Sequence, residues 1–238
     1  MPDTTRYQRN LGTLGAAGQQ RLEQSHVLVV GLGGLGGCVL EQLVRLGVGH
    51  ITAVDPDVFE PTNLNRQLLS DLSSLGISKV EKARQRVALL HDRIVFDGIV
   101  GRHSDVPQAL WKQADLVMDC LDNIPDRLDL ARCCARAGAT LIHGAIAGWY
   151  GQVACVEPGS DILERIYPEA LQDNELVKEW GTPMPTVMVT AGLMVAQAIL
   201  YLCDLHKTRA REIQYVDLQA SRLWHLKMDD APQAGANP

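Results

Sequence analysis

Hydrophobic and polar positions alternate between two kinds of segment from Gln24 to Ala147. Short β-branched apolar runs, typical of strands buried on both faces, read HVLVVG, HITAVD, IVFDGIV, ADLVMDC and ATLIHGAIA. Stretches with the helical spacing of apolar residues lie between them, namely LGGCVLEQLVRLG, SKVEKARQRVALLHD, DVPQALWK and PDRLDLARCCARAG. Strands that alternate with helices predict an α/β fold, with a Rossmann-like, mostly parallel sheet and helices on both faces.

Two helix ends in this region carry capping signals. Gly47 follows the first helical stretch and suits the left-handed conformation that ends many helices. Ser78 and Glu81 have the S-x-x-E spacing of a capping box, so we expect the second helix to begin after Ser78.

The alternation breaks after Gly148, where YGQVACVEP predicts a further strand. The stretch from Gly159 to Pro185 is polar and poorly periodic, which predicts a long functional loop. The segment from Met184 to Cys203 has no charged residue and predicts a helix. Two antiparallel strands, EIQYVDLQ and SRLWHLKM, are expected at the C-terminal end of the sheet.

These elements predict a single domain over residues 1–228. Residues 24–147 form its nucleotide-binding core, and residues 148–228 supply the crossover loop, the apolar helix and the antiparallel strands. The small polar residues of 229–238 predict a disordered tail.

The apolar helix is long enough to cross a bilayer. It nevertheless contains Thr186, Thr190 and Gln197, and Asp204 follows it directly, with no basic cluster at either end. A helix that is apolar on all sides also suits a buried core or a subunit interface. We therefore predict burial and no membrane association.

Composition narrows the possible partners and the cellular setting. Hydrophobic residues make up 46% of the 238 residues and the net charge is -6, which favours a globular protein and argues against nucleic acid as the main partner. The six cysteines include no C-x-x-C pair, and most lie in apolar runs, so we predict buried free thiols. The chain begins with the polar stretch MPDTTRYQRN, and we expect a cytoplasmic protein.

A glycine-rich loop is the first candidate for chemistry. Gly31, Gly33 and Gly36 have the G-x-G-x-x-G spacing between a strand and a helix, where backbone N–H groups face phosphate oxygens. Asp55 ends the next strand, the usual place of an acid that binds a ribose hydroxyl. This arrangement predicts nucleotide binding, most often of NAD or FAD.

Downstream residues favour a triphosphate over a dinucleotide. Asn63, Arg66 and Gln67 lie in a polar loop at the expected carboxyl edge of the sheet, and arginine suits bidentate phosphate recognition. Lys79 falls at the first position of a helix, where a cation opposes the macrodipole. An anionic ligand would explain why a lysine stands there.

Asp119, Asp122 and Asn123 end a later strand, where carboxylates can hold Mg²⁺ near phosphates. Asp119 is equally explained as a polar strand end, and Asp122 and Asn123 as helix caps before Pro125. Only Asp122 is predicted to be functional on this ground, with support from the family resemblance below.

Six motifs follow one another along the chain: RYQRN, VVGLGGLGG, VDPDVFEPTNLNRQ, GISKVEKA, DCLDN and HGAIAGWYGQV. Their order and spacing from Arg6 to about Val156 resemble the ThiF/MoeB/HesA family, the bacterial relatives of ubiquitin-activating enzymes. The resemblance implies an ATP- and Mg²⁺-dependent adenylyltransferase. Such enzymes activate the Gly-Gly end of a small ubiquitin-like sulfur-carrier protein as an acyl-adenylate and release pyrophosphate, in pathways such as those to thiamine or molybdopterin.

The same resemblance implies a role for each matching position. The nucleotide would be bound by Gly31, Gly33, Gly34, Gly36, Asp55, Asp57, Asn63, Arg66, Gln67, Lys79, Asp122 and Asn123. Asp122 would lie beside the Mg²⁺ ion and the α-phosphate, and Arg66 and Lys79 would contact the triphosphate. Arg9 would reach the active site of the other subunit of a homodimer, so the expected catalytic set is Arg66, Lys79, Asp122 and the partner subunit's Arg9.

The chain departs from the family pattern in two places. Many members bind structural zinc through two C-x-x-C pairs, and this chain has none, so we expect no zinc site. Members that form a covalent thioester or persulfide use a cysteine in the loop before the apolar helix, and residues 159–185 contain none. Cys155 is close by but lies in a predicted strand. We therefore expect an enzyme that stops at the acyl-adenylate.

Three alternatives remain open. The same fold could adenylate a small-molecule carboxylate or one on a modified tRNA base. An NAD-dependent oxidoreductase would explain the glycine loop and Asp55 but leaves Arg66, Lys79 and Asp122 unexplained. A binding protein that kept the nucleotide site without catalysis is a third possibility. The sequence identifies neither the carrier nor the pathway nor the acceptor of the acyl-adenylate.

Overall fold

Eight strands form one mixed sheet in the order β3-β2-β1-β4-β5-β6-β7-β8. The computed structural model describes residues 5–168, 179–205 and 212–228. The strands are β1 (His26–Val30), β2 (His50–Val54), β3 (Val95–Ile99), β4 (Leu116–Asp119), β5 (Leu141–Ala147), β6 (Tyr150–Val156), β7 (Glu212–Asp217) and β8 (Arg222–Lys227). The first five strands are parallel to one another, and β6, β7 and β8 continue the sheet with antiparallel pairings that begin between β5 and β6. The predicted fold class is confirmed.

Helices cover both faces of the sheet. They are α1 (Leu11–Gln24), α2 (Gly34–Leu46), α3 (Lys79–Leu90), α4 (Gln108–Gln113), α5 (Ile124–Ala137), α6 (Ile162–Ile166) and α7 (Met184–Leu202), with 3₁₀ turns at Pro61–Asn63, Leu72–Ser74 and His103–Asp105. Side chains of α1, α2, α3 and α7 join one hydrophobic cluster, and those of α4, α5 and α6 join another. The central strands lie between these two layers, which explains their continuous apolar runs.

Helix α7 is the predicted apolar helix, and one of its faces is buried against α2, β5 and β6. Glycines in the sheet make room for it, because a Cβ at Gly144 would collide with the Met194 sulfur. The Thr186 hydroxyl donates to the Gly148 carbonyl at 2.7 Å, which satisfies a polar group inside this helix. By length and composition α7 could cross a membrane, but half of its apolar window is buried within the protein, as predicted for a core helix.

The capping signals had different outcomes. Gly47 ends α2 in the left-handed conformation with φ +86°, as predicted. Helix α3 begins after Ser78, at Lys79, as predicted. The predicted capping box of Ser78 and Glu81 is wrong, because the Ser78 side chain makes no capping bond and its hydroxyl is buried without a partner in the described part of the chain. Ser78 instead forms an antiparallel bridge with Val58, and this long-range pairing fixes where α3 begins.

The segment predicted as a loop from Gly159 to Pro185 contains the short helix α6. Helix α6 packs against α5 through Ile162 and Leu163, which are buried. The pattern also did not predict α1, whose sequence contains three glycines and kinks at Gly15 with φ +68°. Residues 169–178 of the predicted loop and the predicted tail at 229–238 lie outside the described residues.

Candidate active site

The glycine-rich loop places the N-terminus of α2 at the carboxyl edge of the sheet. Gly31 follows β1 with φ +92°, and a Cβ there would lie 2.7 Å from the Cys120 carbonyl oxygen. Gly33 is the N-cap of α2 and offers no capping side chain, so a ligand can occupy that end of the helix. A Cβ at Gly36 would collide with the Gly31 carbonyl oxygen, so Gly36 allows α2 to pack closely against the loop.

Asp55 and Lys79 face each other on one wall of the site. The Asp55 carboxylate is buried and accepts hydrogen bonds from the backbone N–H of Leu32 at 2.6 Å and of Asp57 at 2.8 Å. Lys79 Nζ lies 2.8 Å from Asp57 Oδ2 and 3.8 Å from Asp55 Oδ1. Burial raises the pKa of Asp55, and the Lys79 ammonium and the two N–H groups oppose that rise. The charge of Lys79 is therefore offset by Asp55 and Asp57, and its place at the start of a helix did not by itself indicate these partners.

The polar loop after β2 is organised by Asn63. Its amide oxygen accepts from the Glu60 N–H at 3.0 Å, and its carbonyl accepts from the N–H groups of Arg66 and Gln67. Asn63 thus holds the turn that presents the side chains of Arg66 and Gln67 to the site. Gln67 is 6% exposed, and its Oε1 atom has no hydrogen-bond partner in the described part of the chain. A buried amide oxygen without a partner is costly unless a ligand or water satisfies it.

Asp122 and Asn123 lie in the turn between β4 and α5. Asn123 is the N-cap of α5 and accepts from the Asp126 N–H at 2.9 Å, so the capping explanation is correct for this residue. The exposed side chain of Asp122 is directed to the site and does not cap the helix. This turn follows the strand next to β1, where the strand order changes direction and ligands commonly bind to open α/β sheets.

These elements surround a cavity of about 330 Å³, a volume in the usual range for small-molecule sites. Most of the predicted residues line it together: Gly31, Gly33, Gly34, Asp55, Asp57, Arg66, Gln67, Lys79, Asp122 and Asn123. Among the described residues, Gly36, Asn63 and Arg9 stand outside the lining set. Gly36 and Asn63 support the wall from behind. Arg9 is exposed, just before α1.

The structure also brings Arg102, His103 and Arg127 to the cavity, which sequence reasoning missed. Arg127 is buried and donates from Nε and Nη2 to the Leu121 carbonyl at 3.2 and 2.7 Å. Arg127 lies in the first turns of α5, five residues after Asp122. This short distance in sequence from Asp122 was the signal that could have identified it. Arg102 adds a third cationic residue, with Arg66 and Lys79, to the lining of the same cavity.

A buried polar network lies beneath the Asp122 turn. Asp119 and His143 are fully buried neighbours on β4 and β5, with Asp119 Oδ2 2.7 Å from His143 Nδ1. His143 Nε2 lies 3.0 Å from the Tyr167 hydroxyl. The oxygen of that hydroxyl accepts from Arg127 Nη1 at 3.0 Å and from Gln152 Nε2 at 2.5 Å. Burial lowers the pKa of His143 and raises that of Tyr167, so both are neutral near pH 7.

The cysteines are free thiols, and all except the half-buried Cys133 are buried, as predicted. Burial raises the pKa of the Cys38 thiol to about 11 and that of Cys120 well above its usual value. Cys155 is a buried residue of β6, as its sequence context indicated.

Among the described residues, His103, Asp129 and Cys133 come close enough to share a metal ion. His103 Nε2 is already paired with Asp129 Oδ2 at 2.8 Å, and Arg132 and Arg136 donate to Asp129 and Cys133. Two guanidinium groups beside the same side chains oppose a bound cation. The side chains of this cluster already have hydrogen-bond partners within the protein.

The ThiF family model matches residues 7–234. The chain belongs to the ThiF family. Its curated relatives include the molybdopterin-synthase adenylyltransferase of Escherichia coli K12, which is 32% identical over 218 residues, covering 89% of this chain and 86% of that protein. The sulfur carrier protein ThiS adenylyltransferase of the same organism is 28% identical over 225 residues, covering 92% and 89%. This ThiF-family protein therefore matches both relatives over nearly their full lengths.

A solved structure supports the fold independently. The crystal structure of E. coli MccB with ATP superposes with a TM-score of 0.77 at 22% sequence identity, covering 97% of this chain and 73% of that one. At this level of identity the likeness concerns the arrangement of strands and helices alone. It agrees with the mixed sheet described above.

Proposed function

We propose that this protein is an ATP-dependent adenylyltransferase that activates the C-terminal carboxylate of a small ubiquitin-like sulfur-carrier protein as an acyl-adenylate and releases pyrophosphate. Both relatives described above are named adenylyltransferases, and the name of one specifies a sulfur carrier protein. The observation that supports the proposal most is the convergence of a free helix N-terminus, Arg66, Lys79 and the unpartnered Gln67 amide on one cavity. These groups suit the phosphates and sugar of ATP better than a nicotinamide dinucleotide.

The proposed chemistry depends on charge and alignment. A carboxylate that attacks the α-phosphate must approach a polyanion, so the site needs cations placed before the reaction begins. Arg66 and Lys79 supply them at the lining of the cavity. The Arg66 guanidinium is now bonded to the Thr62 carbonyl at 2.9 Å and to Asn65 Oδ1 at 3.0 Å. These exposed contacts can be exchanged for phosphate oxygens.

The carboxylate of the substrate is itself the nucleophile, so no protein nucleophile is required. This agrees with the absence of a cysteine between residues 159 and 185 and with the raised pKa of the buried Cys38 and Cys120 thiols. We propose that the reaction stops at the acyl-adenylate, without an enzyme thioester, and that the Gly-Gly end of the carrier is the part activated.

Asp122 fits a magnesium site, because its carboxylate is at the cavity wall and oxygen ligands are those that Mg²⁺ prefers. When bound, the ion would neutralise phosphate charge and the charge that develops on the leaving pyrophosphate. Asp122 would orient it, and Asn123 would hold the turn in place. We propose no zinc site and a cytoplasmic location.

We further propose that the active enzyme is a homodimer and that Arg9 completes the site of the partner subunit. Arg9 is exposed and lies outside the lining of its own cavity, so it is available to another chain. Exposed apolar side chains such as Met188 and Val189 on α7 are suited to such an interface.

Intact mass spectrometry tests the proposal directly. Candidate carriers ending in Gly-Gly are incubated with the protein and ATP, with and without Mg²⁺, and we expect a Mg²⁺-dependent mass gain corresponding to AMP on one of them. The variant Arg66→Ala should abolish the gain. Arg84→Ala is the matched control, because Arg84 lies on the surface of α3 over Phe96 and away from the cavity.

No gain with any carrier, while ATP still binds, would replace the carrier with a small-molecule or tRNA-base carboxylate as substrate. Binding of NAD in place of ATP would contradict the adenylation chemistry as a whole. Retention of the AMP gain in Arg66→Ala would show that the triphosphate assignment is wrong.

A further inference from the structure

Buried charged residues hold the backbone of Leu121 at both of its peptide groups. Its N–H donates to Asp119 Oδ1 at 3.1 Å, and its carbonyl accepts two hydrogen bonds from the Arg127 guanidinium. This carbonyl belongs to the peptide bond that leads into Asp122. The orientation of that bond determines where the Asp122 carboxylate enters the cavity.

The two charged residues are connected to each other by His143 and Tyr167. Only one arrangement of protons satisfies every contact when Asp119 is ionised: Nδ1–H of His143 donates to Asp119, and Nε2 accepts from the Tyr167 hydroxyl. The Tyr167 oxygen then accepts from Arg127 and Gln152, which are donors only at the atoms concerned. The negative charge of Asp119 and the positive charge of Arg127 are thus linked by a neutral, fully bonded bridge. We call Asp119, Arg127, His143 and Tyr167 the Leu121 clamp.

The Leu121 clamp draws on four separate parts of the fold. Asp119 ends β4, His143 is on β5, and Arg127 is on α5. Tyr167 is the C-cap residue directly after α6, and the centroid of its ring lies 5.7 Å from the Arg127 guanidinium carbon. The Tyr167 hydroxyl therefore joins the segment after β6 to the turn that carries Asp122.

We propose that Tyr167 and His143 are positioning residues that set the Asp122 turn for adenylation, and so control the rate of the chemical step rather than the affinity for ATP. This inference rests on the proposed function. The walls that offer phosphate contacts, which are the glycine loop, Arg66 and Lys79, do not belong to the Leu121 clamp. Loss of the clamp should leave these contacts intact while Asp122 is displaced.

A purely structural role would not require these residue types. Buried charged and polar groups lose hydration, and apolar residues of similar size often stabilise a core as well or better. Here the hydrogen bonds end on a backbone peptide next to a predicted catalytic carboxylate, which gives the polar arrangement a geometric task.

Tyr167→Phe tests the proposal because it removes only the bridging hydroxyl. We expect kcat for carrier adenylation to fall roughly 10- to 100-fold, the scale of loss that follows small misplacement of reacting groups. The Kd for ATP measured without Mg²⁺ should be unchanged, because Asp122 is proposed to act on the nucleotide through the ion. Tyr201→Phe is the matched control, since its hydroxyl accepts from Thr140 at 3.2 Å outside the clamp, and it should keep the wild-type kcat. His143→Gln can replace both hydrogen bonds and should keep more activity than His143→Leu.

A second measurement does not depend on catalysis. Hydrogen exchange of the Leu121 N–H, followed by mass spectrometry of the peptide that spans the turn, should be faster in Tyr167→Phe than in wild type and unchanged in Tyr201→Phe. If the wild-type protein adenylates no carrier, the proposed function fails while this exchange experiment still decides the clamp. A wild-type exchange rate or wild-type kcat in Tyr167→Phe overturns the proposal, as does an equal loss of kcat and ATP affinity.

Discussion

Lys79 Nζ lies 2.8 Å from Asp57 Oδ2, so the cation at the start of α3 already has an acidic partner in the protein alone. The Asp57 side chain is 62% exposed, whereas that of Lys79 is only 7% exposed. An exposed acid can move away from a buried lysine at little cost, because it is readily hydrated. We therefore propose that Asp57 holds Lys79 in place and that phosphate oxygens of a bound nucleotide would replace it on the same ammonium.

Lys79→Ala should weaken ATP binding by about 10- to 100-fold, since a hydrogen bond to a charged group contributes about 1.5–3 kcal/mol. Isothermal titration calorimetry with ATP measures the change. Lys82→Ala is the matched control on the same helix, where Lys82 pairs with Asp71 at 3.3 Å and does not line the cavity. Equal affinities of Lys79→Ala and Lys82→Ala would remove Lys79 from the triphosphate site.

Gly36→Ala should destabilise the fold by about 3 kcal/mol, because overpacking at a position without free space forces the backbone to shift. The added methyl would collide with the Gly31 carbonyl oxygen, and α2 would be pushed away from the loop that it closes. Denaturant unfolding measures the loss. Gly12→Ala is the control: nothing lies within 4 Å of the added Cβ, and the change should be neutral or stabilise α1 by up to ~1 kcal/mol. Equal stability of the two variants would show that Gly36 is not a packing position.

Sequence patterns predicted the fold where the signal was local. The strands β1, β2 and β4 are short apolar runs with both faces buried, and α7 is mostly apolar and has no charged residue, so composition and periodicity were sufficient. The capping box at Ser78 failed because the pairing of Ser78 with Val58, twenty residues away in sequence, overrides local capping. Long-range pairing of this kind leaves no periodic signal.

The candidate site was predictable to the extent that spacing and family resemblance identified single positions. Asp55, Arg66, Lys79 and Asp122 do meet at one cavity, because the carboxyl ends of neighbouring parallel strands share one edge. His143 was missed, since a histidine inside an apolar strand gives no sign of its partner. Only the register that aligns it with Asp119 reveals the pair.

Acid should destabilise the protein in part through His143. Burial lowers its pKa, so below about pH 6.5 the unfolded chain binds a proton that the folded protein excludes. The free energy of unfolding therefore falls as the pH drops through this range, by up to roughly 1.4 kcal/mol per pH unit for this one group. Asp119 and Tyr167 contact the ring, and Arg127 acts on it through its charge. Asp119 opposes the lowering of the His143 pKa, and Arg127 adds to it.

Denaturant unfolding of wild type and His143→Gln between pH 7 and pH 5 isolates this contribution. The His143→Gln protein should show a shallower dependence of stability on pH, by up to about one proton. An unchanged slope in His143→Gln would mean that the ring does not titrate as its burial requires.

Mixed dimers test whether Arg9 acts in the partner's active site. Arg9→Ala and Asp122→Asn should each be inactive alone. A heterodimer of the two has one site with both wild-type residues, so about half of the wild-type activity should return. Differently tagged subunits are co-expressed, purified through both tags and assayed for carrier adenylation.

Arg6→Ala is the control for the N-terminal segment, because Arg6 pairs with Asp92 of its own chain at 3.4 Å, and it should be active alone. A purified heterodimer that stays inactive would mean that Arg9 and Asp122 do not act together across a subunit interface.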